Sequence, residues 1–126
     1  MKHILLLIIG ILSFTSCNKH KHPDYVIPHD QMVNIIVDLH VLDGMLNESE
    51  IRREIVRIDT SNIYNSVLNY YGYSRHDFDT SLFYYSKNIA EYDVIYQEVL
   101  NKLGEMEAIV KEEEEKQKAL QDSLNL

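Results

Sequence analysis

The densest run of reactive side-chain types is Ser74-Arg75-His76-Asp77-Phe78-Asp79-Thr80-Ser81. It holds hydroxyls, an imidazole and two carboxylates, the groups of a nucleophilic triad, and Asp77 with Asp79 offers the paired carboxyls that glycoside chemistry uses. A hydrolase sets its serine on a strained turn beside oxyanion donors, and no G-x-S-x-G step is present. Carboxylates two positions apart at a helix start also have a simpler task, facing the positive end of the helix dipole. The chain carries no phosphate-binding loop, no H-E-x-x-H and no EF-hand loop. It therefore reads as a protein without catalytic activity.

His20, His22 and His29, with Asp24 and Asp30, supply metal-ligand types, but they fall on a Pro-marked segment with no neighbours to orient them. No metal and no cofactor is expected. His40 follows Ile36 by four residues and lies, with Asp38, at the border of an apolar stripe, where a histidine ordinarily hydrogen-bonds at a core edge.

Cys17, the single cysteine, follows Lys2, an apolar run over 4–12 and the small residues Thr15 and Ser16. That order is the secretory pattern, and the apolar stretch is shorter than the ~20 residues a membrane span needs. Phe14-Thr15-Ser16-Cys17 resembles the lipobox of bacterial lipoproteins, with Phe14 in place of the usual leucine. The resemblance implies a signal peptide over 1–16 and a covalent lipid on Cys17. Two or more acyl chains at ~0.8 kcal/mol per buried CH₂ would anchor the protein stably to a membrane. Residues 17–28, with Pro23 and Pro28, read as the extended tether behind that anchor.

Loss of Lys2 on cleavage would leave 11 basic against 20 acidic side chains, a charge of −9. Such an acidic chain is unsuited to nucleic acid. From 29 to 110 the pattern is helical throughout, giving an all-α class with three to four helices and a long last one. Met32, Ile35, Ile36, Leu39, Leu42 and Leu46 mark a first helix, capped at Asp30 or its neighbour. Ile51, Ile55 and Ile58, then Ile63, Val67, Leu68 and Tyr71, mark a second stretch that Asp59-Thr60-Ser61 breaks and Gly72 closes. Ser74 caps a helix from about Arg75 to Ser86. Ile89, Tyr92, Tyr96, Val99, Leu103, Met106 and Val110 form a seam at three-four spacing, interrupted at Glu113 and Gln117. The core is expected to end near Val110, leaving 111–126 as a charged helical or frayed tail, with a docking helix that uses Leu120 and Leu124 on a partner as the sharper alternative.

Ten of the twelve aromatic residues lie between Tyr64 and Tyr96, eight of them tyrosines. Tyrosine joins a buriable ring to a hydroxyl that stays near water, so this density suits a core margin, a protein interface or a sugar-stacking surface. The motifs Asp38-Leu39-His40, Tyr71-Gly72, Asp77-Phe78-Asp79-Thr80-Ser81 with Tyr84-Tyr85, and Ile95-Tyr96 resemble the lipoprotein family catalogued as domain of unknown function 4296. The likeness spans about 23–103 and implies a Bacteroidota envelope lipoprotein without a known activity. Residues 18–21, Asn-Lys-His-Lys, lack the acidic run typical of surface-exposed lipoproteins of that group, which points to the periplasmic face of the outer membrane. The expected role is an accessory or scaffolding lipoprotein holding an envelope protein partner, with glycan or small-ligand binding as the alternative. The expected binding residues are Asp38, His40, Asp77, Phe78, Asp79, Tyr84 and Tyr85.

Overall fold

The structure, a computed structural model, describes residues 22–55 and 60–124. The expected signal peptide, Cys17 and the first part of the tether lie outside the described residues. The described residues form five helices: α1 (His29–Asn47), α2 (Ser49–Ile55), α3 (Thr60–Tyr70), α4 (Arg75–Ser86) and α5 (Ile89–Leu124). No strand occurs among the described residues, so the chain is all-α with a long C-terminal helix. The second helical stretch of the sequence reading corresponds to α2 and α3, and residues 56–59 between them, including Asp59 of the expected break, lie outside the described residues.

α1 is the central element. Met32, Val33, Ile35, Ile36 and Val37 are all buried, a wider face than a simple stripe, since other elements cover α1 from more than one side. Its N-cap is Pro28 rather than Asp30, with the Met32 N–H bonded to the Pro28 carbonyl at 2.9 Å. Asp30 sits inside the first turn, where its charge complements the helix dipole. Leu68 of α3, Tyr85 of α4, and Ile95 and Val99 of α5 complete the core around it.

Two boundaries differ from the sequence reading. Residues 23–28 are part of the folded unit: a turn closed by Val26 N–H on the Pro23 carbonyl turns Val26 and Ile27 into the core, leaving Ile27 only 2% exposed. At the other end the core stops at Leu103, with Met106 and Val110 exposed. The cause is the way α1 meets α5. His29 pairs with Glu98 at 3.2 Å, and the ring of His40 faces that of Tyr96 at 6.3 Å. Eleven residues of α1 rise about 16 Å, yet their partners on α5 lie within one turn of each other. α1 therefore crosses α5 instead of lying along it. The 36 residues of α5 extend about 54 Å, and residues 104–124 are exposed on every side.

Tyr70 ends α3, and Gly72 follows at φ 81°, a left-handed conformation that a Cβ would strain. Its N–H and that of Tyr73 bond to Asn69 and Leu68 carbonyls, which closes the helix and turns the chain into α4.

Candidate functional site

α4 begins with a capping box. Ser74 Oγ accepts from the Asp77 N–H, and Asp77 Oδ2 accepts from the Ser74 N–H at 2.8 Å. The Ser74 hydroxyl and backbone N–H together hold the Asp77 carboxyl below its usual range. Arg75 Nε bonds to Asp79 Oδ1 at 2.9 Å one turn on. Ser81 is fully buried: its Oγ donates to the Asp77 carbonyl at 2.7 Å and accepts from the Ile27 N–H at 2.8 Å. These are the groups that a triad would have used. Ser74 and Asp77 start the helix, Ser81 holds a backbone, Asp79 pairs with Arg75, and the imidazole of His76 is exposed.

Four residues beyond Ser81, the Tyr85 hydroxyl donates to the Ile27 carbonyl at 2.7 Å. One face of α4 thus satisfies both backbone groups of Ile27, allowing an irregular segment to be buried without orphaned polar atoms. No buried side-chain nitrogen or oxygen among the described residues lacks a partner. His22 lies edge-on to Tyr84 and Tyr85 at 5.9 and 5.3 Å and reaches Glu91 at 3.3 Å. With His29–Glu98, this fastens the entering segment to α5; both histidines serve as pairing groups. No group of three or more metal-ligating side chains occurs among the described residues.

The expected binding residues do not form one surface. Asp38 accepts from the Tyr71 hydroxyl at 2.6 Å on the α1–α3 side, and His40 is exposed beside Tyr96. Tyr85 is core, Phe78 and Tyr84 pack against the core, and Asp77 is taken up by the cap. Asp79 is the one that faces a cleft. It lines an open hollow of about 390 Å³ between α4 and α5 with Leu82, Phe83, Ser86 and Tyr92. Phe83 is 62% exposed, and the Lys87 ammonium sits 4.2 Å from its ring centre. The hollow is wide open to solvent, a shallow depression suited to receiving a side chain and not to enclosing a ligand.

Sequence reasoning passed over Phe83 in favour of the paired tyrosines beside it. The spacing of Asp79, Phe83 and Ser86 at i, i+4 and i+7 marks a second face of α4, distinct from that of Ser81 and Tyr85.

Residues 23–109 match the profile of the family described as domain of unknown function DUF4296. The chain belongs to this family. No curated protein and no solved structure matches the chain significantly. The DUF4296 match begins at Pro23, at the turn that places Val26 and Ile27 in the core, and it ends within α5 shortly after the last core residue, Leu103. The family and packing boundaries agree at the N-terminal end, while at the C-terminal end the match runs six residues past Leu103, to 109, beside the expected domain end at 110.

The tyrosines of this DUF4296 domain give it a pH signature. Burial, then the bond to Asp38, pushes Tyr71 from 10.0 up to about 12. The bond to Asp43 raises Tyr64, and burial raises Tyr85 and Tyr92. A hydroxyl whose folded pKa lies above its unfolded value stabilises fully below the unfolded value and ceases to do so as pH climbs through the folded one. The domain is expected to keep its stability up to about pH 10 and lose it progressively between pH 10 and 12. Urea midpoints across that range, read with tyrosinate absorbance, check this; midpoints flat to pH 12 would contradict it.

Proposed function

We propose that this DUF4296 protein is a membrane-anchored accessory module that holds an envelope protein partner, with the lipid on Cys17 as the anchor and the α4–α5 cleft as the contact. The observation that carries the reading is the exposed Phe83 beside a cleft, in a domain whose other α4 aromatics are packed away. Leu82, Phe83 and Tyr92 offer an apolar floor, Asp79 is already paired with Arg75, and a net charge of −8 over the whole sequence favours a basic partner. The partner is therefore a basic protein that presents an apolar side chain to the cleft. Placement at the periplasmic face of the outer membrane follows the basic residues after Cys17 and belongs to the same proposal. Ser74, Asp77, Ser81 and Tyr85 of α4 already have structural partners, which favours a binding role over catalysis.

Phe83→Glu is the decisive variant. An exposed position of this kind changes stability by no more than about 0.5 kcal/mol. Crosslinking in intact envelopes is expected to capture one protein with the parent chain and to lose it with Phe83→Glu and with Cys17→Ala. Capture that ignores both substitutions, or no specific capture at all, overturns the reading. A glycan version has its own support in the pairing of aromatic rings with Asp79 and Ser86, since sugar rings stack on the former and hydrogen-bond to the latter. Phe83-dependent retention on purified peptidoglycan, without a protein partner, would select it.

A further inference from the structure

Residues 104–124 of α5 are solvent-exposed on every side, yet their sequence is ordered. Along the line that continues the core seam come Met106, Val110, Glu113, Gln117, Leu120 and Leu124, at steps of four, three, four, three and four. The run is two apolar positions, two polar and two apolar, and it reads the same in either direction about residue 115. The apolar members are exposed, from 43% at Met106 to 78% at Leu124.

We propose that this half of α5 pairs with the same segment of a second copy as an antiparallel, two-fold coiled coil. With the axis beside residue 115, Met106 meets Leu124 of the second copy, Val110 meets Leu120 of the second copy, and Glu113 meets Gln117 of the second copy. Every apolar layer then falls on an apolar layer, and the carboxylate meets an amide donor. The parallel arrangement instead sets Glu113 against Glu113 of the second copy, two like charges at the seam.

Charge selects the same orientation. Residues 105–115 carry Glu105, Glu107, Glu112, Glu113, Glu114 and Glu115 against Lys111, whereas 116–124 carry Lys116 and Lys118 against Asp122. Antiparallel packing lays the acidic half beside the basic half, with Lys116 and Lys118 level with Glu114 and Glu112 of the second copy. Parallel packing lays acidic on acidic. A two-fold contact of this kind is self-complementary and closes at a dimer. Four apolar layers make a small contact, so association should grow with concentration, as it would among chains confined to a surface.

Sedimentation of the full chain carrying Cys17→Ser, and therefore without lipid, tests the pairing. It is expected to show a monomer–dimer equilibrium that Leu120→Asp returns to monomer while the circular dichroism stays unchanged. Glu113→Gln should tighten it. Orientation is read by mixing Val110→Cys chains with Leu120→Cys chains under mild oxidation: the antiparallel register gives the mixed 110–120 disulfide in excess over either homodimer. A monomer at all concentrations, a dimer indifferent to Leu120→Asp, or homodimeric disulfides in excess would each overturn the proposal. None of these outcomes bears on the Phe83 cleft, which lies on a different part of the molecule.

Discussion

Tyr85→Ala is expected to destabilise the domain by about 3–5 kcal/mol, the range for removing a large buried ring. Against a total of ~5–15 kcal/mol for a domain, that loss leaves a chain at the edge of folding. Two things go at once: the ring, fully buried against the core cluster, and the hydroxyl bonded to the Ile27 carbonyl. Tyr85→Phe separates them. It keeps the ring and leaves the carbonyl buried without its donor, at a cost of about 1–3 kcal/mol. Urea unfolding followed by circular dichroism measures both. A Tyr85→Phe chain as stable as the parent would show that the hydroxyl contributes nothing, and would remove the argument that α4 carries the entering segment by its backbone.

Ile27→Ala is the second large effect, about 2–5 kcal/mol. It is set against Tyr25→Ala two residues earlier, where the ring is 64% exposed and the change should stay within about 0.5 kcal/mol. A tether would be insensitive at both positions and a core segment at one only, so the contrast tests where the domain begins. Equal midpoints for the two variants would return residues 23–28 to the tether.

The helices were legible in the sequence because their signals are local. Ser74 with Asp77 three residues on announces the start of α4, and Gly72 announces the turn before it; both act through backbone groups a few ångströms away. The burial of Val26 and Ile27 was not legible, because it depends on Ser81 and Tyr85, which lie 54 and 58 residues away. The two prolines argued for an extended tether, and the apolar pair between them was the one contrary sign. The end of the core was misplaced for a related reason. Periodicity shows which face of α5 is apolar but not how far a crossing helix covers it, and α1 covers it only to Leu103. At the cleft, residue type favoured the paired tyrosines for recognition, while their i, i+4 relation to Ser81 placed Tyr85 inside and left Phe83, two positions earlier, outside.

The division of α5 also governs how relatives of this chain could differ in length. Within the core, Ile95 and Val99 are fixed by the volume they fill, so an inserted residue would be felt at once. Past Leu103 nothing in the domain fixes register, and the helix can lengthen or shorten without disturbing the fold. Yet the increments are not equivalent. A single added residue turns everything beyond it by about 100°, whereas seven or eleven leave Leu120 and Leu124 within about 20° of the line through Met106 and Val110. If that line is used, length should vary in steps of seven or eleven residues; if it is not, any number will do.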